Sequence, residues 1–176
     1  MQLIHEFKDD IYPRDEIVFE KHAARAIVFN QEGKVALIRC LSKEYGMDCY
    51  LTPGGGIESG ETPEDAVKRE VLEEIGFACE IRNELGMIID YFYDIKRKTV
   101  SYYFIVQVVS QQLTQRTETE KKFIQGVAWL TIPEAISLLE TYPADPRGST
   151  FHRRDLLAMK KAAAFLILPD HFYSNQ

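Results

Sequence analysis

Apolar runs separated by polar, glycine-containing segments predict three β-strands in the first third of the chain. The segments "KHAARAIVFN" and "QEGKVALIRCL" predict two strands joined by a turn at residues 30–33. The segment "CYLTP" predicts a short third strand, which runs directly into a cluster of glycines.

The middle of the chain predicts a long antiparallel pair of strands. The segments "CEIRNELGMIIDYFYD" and "TVSYYFIVQVVS" are rich in β-branched and aromatic residues, and we expect them to be joined near residues 95–98. A polar loop is expected at residues 111–121, and "FIQGVAWLTI" predicts one more strand after it.

The segment "TPEDAVKREVLEEIGF" predicts a helix with clear start and stop signals. Thr62 is a good N-cap residue and Pro63 suits the first helical position. Gly76 can adopt the left-handed conformation that ends a helix. We therefore expect this helix to span the residues between Thr62 and Gly76.

Two more helices are predicted near the C-terminus. The segment "PEAISLLETY" begins after Thr131 or Ile132, and "STFHRRDLLAMKKAAAFLIL" is capped by Ser149 or Thr150. The basic residues of "RRDLLAMKK" predict a solvated helix face, and the apolar tail "FLILPDHFY" could dock on the domain or on a second subunit of a homodimer. Mixed strands with three helices predict a sheet covered on both faces, as in an α/β or α+β sandwich.

Length, charge and cysteine content limit the possible functions. A chain of 176 residues suits one domain over residues 1–176. The net charge of −6 argues against broad nucleic-acid binding, and the absence of a run of roughly 18 apolar residues argues against a membrane span. The N-terminus "MQLIHEFKDD" does not have the pattern of a secretory signal. The three scattered cysteines predict reduced, mostly buried thiols in a cytoplasmic protein.

Three glutamates on the first predicted helix carry the candidate chemistry. At about 100° per residue, Glu70, Glu73 and Glu74 share one arc, which faces away from the apolar stripe around Val71. Like charges at this spacing destabilise an isolated helix by roughly 0.2–0.5 kcal/mol per pair. One interpretation is a solvated acidic face. The other is a site for a hard cation such as Mg²⁺, next to glycines that let the backbone approach a ligand closely.

The segment "GGIESGETPEDAVKREVLEEIGF", residues 55–77, resembles the Nudix box, G-x5-E-x7-R-E-U-x-E-E-x-G-U, where U is a bulky apolar residue. All nine specified positions match; they are Gly55, Glu61, Arg69, Glu70, Val71, Glu73, Glu74, Gly76 and Phe77. Phe77 is aromatic where the family more often has an aliphatic residue, which leaves the ligand positions unchanged. The resemblance implies one Nudix domain with an α/β/α sandwich and a mixed central sheet. It also implies Mg²⁺- or Mn²⁺-dependent hydrolysis of a diphosphate linkage in a nucleoside diphosphate derivative.

The resemblance also implies roles for individual residues. Glu70, Glu73 and Glu74 would bind metal, and Glu61 would bind it directly or through water. Arg69 would orient the loop and the glutamates. Many members add an acid from a later loop, for which Glu118 and Glu120 are the candidates and Glu120 is preferred; the general base stays open between Glu73, Glu74 and this acid. The glycines that would shape the substrate loop, with a carbonyl of the second or third as a further metal ligand, are Gly54, Gly55 and Gly56.

Substrate choice would depend on residues outside the box. Arg25 and Arg39 could reach a phosphate or a base, or could be outward-facing strand residues. Tyr93 resembles a marker of dinucleoside polyphosphate hydrolases, or packs as a strand aromatic. Nucleoside triphosphates and dinucleoside polyphosphates are the expected small-molecule substrates. The alternatives are a sensor domain without turnover and an isomerase of isoprenoid diphosphates, which would need a cysteine paired with a separate glutamate.

Overall fold

The computed structural model describes residues 1–8, 12–42, 47–141 and 151–166. The strands in this part of the chain are β1 (Leu3–Lys8), β2 (Phe19–Phe29), β3 (Val35–Ser42), β4 (Met47–Leu51), β5 (Gly54–Gly56), β6 (Phe77–Phe92), β7 (Arg97–Gln111) and β8 (Ile124–Leu130). The helices are α1 (Pro63–Ile75), α2 (Glu118–Phe123), α3 (Ile132–Glu140) and α4 (Phe151–Leu166).

The strands form a mixed sheet with the order β1-β6-β7-β2-β3-β4. The pairs β1–β6 and β2–β7 are parallel, whereas the β6–β7 hairpin is antiparallel. Strand β5 pairs with β2 and strand β8 pairs with β3. The predicted mixed central sheet is therefore confirmed.

Strands β2 and β3 separate soon after their turn. They pair only at Phe29 and Val35 among the described residues, and β5 pairs with residues 23–25 of β2 in place of β3. Strand β3 continues between β4 and β8. This divergence leaves space between β2 and the β3–β4 pair, and the candidate active site lies there.

Alternating residues of β2 are buried on opposite faces of the sheet. Ala24, Ala26 and Val28 pack with the apolar side of α1, whereas Ile27 and Phe29 pack with α3 and α4. Because side chains alternate along a strand, a central strand covered on both faces is apolar at nearly every position. The result is the predicted α/β/α sandwich.

Most of the predicted elements are confirmed. Helix α1 has Thr62 as its N-cap and Gly76 in the left-handed conformation at its end, and α3 has Thr131 as its N-cap. Three elements were not predicted: strand β1, strand β5 within the glycine cluster, and helix α2, which overlaps the expected polar loop at 111–121. Helix α2 begins with a capping box in which Thr117 and Glu120 bond reciprocally, a pattern visible in the sequence.

The cysteines are free and buried, as predicted. No helix in the described ranges is long and apolar enough to cross a membrane. The candidate caps Ser149 and Thr150, and all of the apolar tail "FLILPDHFY" (residues 165–173) after Leu166, lie outside the described residues.

Candidate active site

A cavity of about 420 Å³ occupies the space between β2 and the β3–β4 pair. Strand β5 and helix α1 contribute Gly54 to Gly56, Glu70 and Glu74 to its lining, and helix α2 contributes Glu120. Cationic residues from β2, β7 and α4 complete the lining. The cavity therefore brings together acidic and basic groups that are far apart in the sequence.

Helix α1 presents its glutamates to the protein interior. Glu70 and Glu74 are 5% and 6% exposed, and Glu73 is partly buried. The interpretation as a solvated acidic face is therefore wrong for Glu70 and Glu74. Burial raises the pKa of Glu70, an effect that hydrogen bonding by Arg69 opposes.

Arg69 holds three carboxylates and the glycine strand together. Its guanidinium donates two hydrogen bonds to Glu61 (2.8 and 2.9 Å) and one each to Glu70 (2.8 Å) and Glu73 (3.0 Å). A fifth bond goes from Nη2 to the carbonyl oxygen of Gly56 (2.9 Å). The bonds to Glu61 and Glu70 raise the pKa of Arg69 and lower that of Glu61. One cation thus offsets the repulsion that the sequence places on this helix.

Glu74 is bound to the glycine strand from the other side. Its Oε2 accepts a hydrogen bond of 2.7 Å from the amide of Gly54. Burial, together with the charge of Glu70, raises the pKa of Glu74 to about 8. Two positions of β5 have no room for a side chain: a Cβ on Gly55 would collide with the Glu70 carboxylate. Gly54 has a φ of 139° and a Cβ there would collide with the carbonyl oxygen of Ala24.

Glu120 joins two of the α1 glutamates to form an acidic cluster. Carboxylate oxygens of Glu70, Glu73 and Glu120, which we call the acidic cluster, all lie within 4.8 Å of one another. An oxygen-only set at this spacing fits the donor preference of Mg²⁺ or Mn²⁺. Glu118, the other candidate, is exposed and forms an ion pair of 2.7 Å with Lys121.

Arg116 attaches the α2 segment to α1, a role that no sequence pattern predicted. Its Nε donates a 2.8 Å hydrogen bond to the backbone carbonyl of Glu74, which lies in the last turn of α1. Carbonyls at a helix C-terminus lack intrahelical partners, so a guanidinium is well placed there. The contact brings the following helix, with Glu120, to the glutamates of α1.

A basic wall, which we define as Lys21, Arg25, Arg97 and Arg154, lines another part of the cavity. The sequence singled out only Arg25 from this set. The predicted solvated face of "RRDLLAMKK" is wrong at Arg154, which is 1% exposed. Arg154 is buried because its guanidinium forms hydrogen bonds with a tyrosine hydroxyl and a carboxylate in the protein interior.

Tyr103 and Asp155 hold Arg154 in place. The Arg154 Nε donates to the Tyr103 hydroxyl (2.8 Å) and to Asp155 (3.1 Å), and the Tyr103 hydroxyl donates to Asp155 at 2.6 Å. The other oxygen of Asp155 accepts a 2.8 Å bond from the amide of Thr52, just after β4. Burial favours the neutral acid, but the positive charge of Arg154 lowers the pKa of Asp155.

The structure brings most of the predicted site residues together but not Arg39 or Tyr93. Arg25 lines the cavity and points a terminal nitrogen at the Gly54 carbonyl, 3.4 Å away. Arg39 lies outside the lining and forms two hydrogen bonds with exposed Asp48, at 2.9 and 3.1 Å. Tyr93 is also outside the lining; it is buried and stacks on Tyr91, with ring centroids 6.1 Å apart.

Comparison with known proteins agrees with this geometry. The NUDIX domain family matches residues 20–152. An ADP-ribose pyrophosphatase of Methanocaldococcus jannaschii is 32% identical over 94 residues, covering 52% of this chain and 55% of that protein. Diphosphoinositol polyphosphate phosphohydrolase 2 of Rattus norvegicus is 28% identical over 124 residues, covering 70% of this chain and 65% of that protein. The alignments thus span less than two thirds of either relative.

A solved structure shows the same fold. A NUDIX hydrolase from Nitrosomonas europaea superimposes with a TM-score of 0.66 at 21% identity, covering 83% of this chain and 90% of that one. The family match extends over more than half of the chain and includes β3 to β8, nearly all of β2, helix α1 and the glutamates that line the cavity. This protein therefore belongs to the Nudix hydrolase family.

Proposed function

We propose that this protein hydrolyses a phosphoanhydride bond in a nucleoside diphosphate derivative with the help of Mg²⁺ or Mn²⁺. Nucleoside triphosphates and dinucleoside polyphosphates are the proposed substrates. The observation that carries the proposal is the acidic cluster, whose carboxylate oxygens lie within 4.8 Å of one another beside the glycine strand.

The residues present fit a divalent cation. Glu70, Glu73 and Glu120 would hold it. Glu74, which accepts the hydrogen bond from the Gly54 amide, would add negative charge next to them. When bound, the cation would neutralise phosphate charge and lower the pKa of a coordinated water. Burial, with added repulsion from neighbouring carboxylates, raises the pKa of Glu70 and Glu74, and a cation between these groups would offset both effects.

The protein's own groups would position the reacting atoms. Arg69 fixes the orientation of Glu70 and Glu73 through hydrogen bonds, so their free oxygens need little reorganisation. The side-chain-free backbone of β5 lets a diphosphate approach the carboxylates closely. The proton of the attacking water would pass to Glu73, Glu74 or Glu120, all of which belong to the same group of carboxylates.

The relatives are named for different substrates that share one chemistry. The name of the archaeal relative specifies ADP-ribose, and that of the rat relative specifies diphosphoinositol polyphosphates. Both compounds contain a diphosphate linkage. This shared linkage supports hydrolysis of a phosphoanhydride and leaves the group attached to it to be determined.

A substrate panel tests the proposal directly. Nucleoside triphosphates, dinucleoside polyphosphates, ADP-ribose and diphosphoinositol polyphosphates would be incubated with Mg²⁺ and with Mn²⁺, and the phosphorylated products identified. We expect metal-dependent hydrolysis of at least one nucleotide and its loss on addition of EDTA. Ligand binding without product would identify a sensor, and interconversion of isoprenoid diphosphates would identify an isomerase.

Variants of the acidic cluster give a matched test. Glu73→Gln and Glu120→Gln should each lower kcat by roughly tenfold or more, since each removes one charged oxygen from the cluster. Glutamine at position 120 can still accept the capping bond from Thr117, so α2 should stay folded. Glu118→Gln, on the same helix but exposed, is the control and should keep parental turnover. Equal activity of all three variants and the parent would refute the assignment.

The isomerase alternative requires a reactive cysteine in the cavity, and Cys40 is the cysteine that lines it. Cys40 lines the cavity, but burial raises its thiol pKa strongly, and the thiol donates a weak 3.9 Å hydrogen bond to the carbonyl of Ile38. A buried thiol of this kind is chemically inert. The geometry therefore supports hydrolysis over the cysteine-dependent isomerisation.

A further inference from the structure

We propose that the basic wall binds a phosphate group of the substrate beyond the diphosphate held at the acidic cluster. This inference rests on the proposed function and narrows its substrate class. Substrates with three or more linked phosphates, or with an additional phosphate on the attached group, would be preferred over a diphosphate flanked by uncharged sugars.

Strand register places the basic wall on one face of the sheet. Lys21 and Arg25 lie on the same side of β2 as Ile27, which packs against α3 and α4. In the parallel pairing with β7, Phe19 is opposite Arg97 and Arg25 is opposite Tyr103. Arg97 therefore lies on the same face as Tyr103, the residue that holds Arg154. The four cations converge although they are up to 133 positions apart in the sequence (154 − 21).

Three of these cations have a buried nitrogen without a hydrogen-bond partner among the described residues. These atoms are Nη2 of Arg154 and Nε of Arg25 and Arg97. Arg154 is the strongest case, because its side chain is 1% exposed and its Nε is already committed to Tyr103 and Asp155. A buried charged donor without an acceptor is destabilising, so these nitrogens favour an anionic ligand in the cavity that they line.

The cations of the wall repel one another and also lie near protein acids. The buried acids in contact with Arg154 are Asp90, whose Oδ2 is 3.5 Å away, and Asp155. Asp155 is committed to Tyr103, Arg154 and the Thr52 amide. Lys21 is exposed as a residue, but partial desolvation of its ammonium group in the cavity, reinforced by the neighbouring positive charges of Arg25 and Arg97, lowers its pKa. Glu70 opposes this effect on Lys21, but the unpartnered nitrogens of Arg25, Arg97 and Arg154 still need an acceptor, which a phosphate in the cavity would supply.

The number and origin of the donors favour phosphate over carboxylate. The donors come from β2, β7 and α4, and so approach from several directions, whereas a carboxylate presents two oxygens in one plane. A terminal phosphate offers three non-bridging oxygens, and guanidinium groups bind such oxygens with strong, charge-assisted hydrogen bonds. The acidic cluster borders the same cavity, so one polyphosphate could contact both regions.

Two matched substrates would test the wall during turnover. P1,P2-diadenosine diphosphate and P1,P4-diadenosine tetraphosphate have the same ends and differ in two phosphates. For Arg97→Gln and Lys21→Gln we expect KM for the tetraphosphate to rise roughly tenfold, with KM for the diphosphate within about twofold of the parent. Lys98→Gln is the control, because Lys98 is next in sequence, pairs with Glu20 at 3.0 Å and does not line the cavity.

Protein stability must be separated from binding. Lys21 is an exposed residue, so Lys21→Gln should fold normally even if a half-buried Arg97→Gln variant does not. The thermal midpoint of each variant would be measured beside its kinetics. A selective rise in KM for the tetraphosphate supports the proposal. Equal effects on both substrates, or none on either, would overturn it.

A binding measurement without turnover distinguishes this proposal from the proposed hydrolysis. Titration calorimetry with inorganic tripolyphosphate in EDTA should give a Kd about tenfold weaker for Arg97→Gln than for the parent and Lys98→Gln. If no compound is hydrolysed but the Kd values differ in this way, the proposed hydrolysis is refuted and phosphate binding by the basic wall is supported. If nucleotides are hydrolysed but tripolyphosphate binds the parent and Arg97→Gln equally, phosphate binding by the basic wall is refuted and the proposed hydrolysis is not affected.

Discussion

The acidic cluster and the basic wall line one cavity but are assembled in different ways. Glu70 and Glu73 lie in one helix, and Arg69 between them in space binds both. The four cations of the basic wall come from β2, β7 and α4. One region is largely local in sequence, whereas the other exists only after the sheet and its covering helix have packed.

This difference has a consequence for stability. Within the acidic cluster, Glu70 and Glu73 depend on helix periodicity and on hydrogen bonds inside the box, and Glu120 joins them through the bond from Arg116 to the Glu74 carbonyl. The basic wall depends on Asp155, which connects α4 to Tyr103 on β7 and to the amide of Thr52 after β4. Substitution of Asp155 should therefore lower both the folding free energy and anion binding. Substitution of Arg69 should lower catalytic activity more than the folding free energy.

The largest expected effect is the loss of folding free energy in Asp155→Asn. The variant removes the charged partner at 3.1 Å from buried Arg154 and leaves only Asp90 at 3.5 Å among its ion pairs in the described residues. Breaking a buried ion pair costs roughly 3 kcal/mol. Urea denaturation would measure the change. Asp48→Asn is the matched control: it breaks the exposed pair with Arg39 and should cost less than about 1 kcal/mol. Equal losses in both variants would show that the buried network does not support the wall.

Local sequence signals predicted one region of the site much better than the other. The caps of α1, Thr62 and Gly76, and the spacing of its glutamates were all readable, because helix geometry relates residues three and four positions apart. Arg154 could not be placed in the same way. It stands beside exposed Arg153 in a basic segment, and only the packing of α4 on Tyr103 and Asp155 makes it interior.

The parallel pairing of β2 with β7 was equally inaccessible to sequence reasoning. The predicted hairpins follow from short connections, whereas this pair joins residues about 80 positions apart and no turn specifies its register. Arg97 and Lys21 enter the cavity only through that register. Helix α2 is a different case, since its Thr117–Glu120 capping box was present in the sequence and could have predicted a helix start.

Arg69→Lys should produce the next largest effect, on activity. Lysine carries one compact ammonium group and cannot reproduce the five hydrogen bonds of Arg69 to Glu61, Glu70, Glu73 and Gly56. Loss of such support for metal-binding carboxylates typically lowers metal affinity or activity by roughly 10- to 100-fold. We expect the Mg²⁺ concentration for half-maximal turnover to rise, with little change in the thermal midpoint.

Arg82→Lys is the control for that substitution. Arg82 is an exposed residue of β6 that pairs with Glu80 at 3.2 Å, so the exchange should leave the magnesium dependence unchanged. A parental magnesium dependence in Arg69→Lys would show that Arg69 does not position the acidic cluster. If Arg69→Lys loses as much folding free energy as Asp155→Asn, the acidic cluster depends on tertiary packing as much as the basic wall does.

The smallest expected effect is that of Arg39→Gln, and it defines where the basic wall ends. Arg39 and Arg25 both lie on strands before the box, but only Arg25 lines the cavity, while Arg39 faces Asp48 across the β3–β4 pair. Steady-state kinetics on a nucleoside triphosphate should therefore give Arg39→Gln a KM within about twofold of the parent, since exposed ion pairs contribute little. Arg25→Gln should raise KM by roughly tenfold through the loss of a charged hydrogen bond. If the two variants raise KM equally, the phosphate-binding surface extends over β3 and β4, and the convergence of β2, β7 and α4 does not by itself define it.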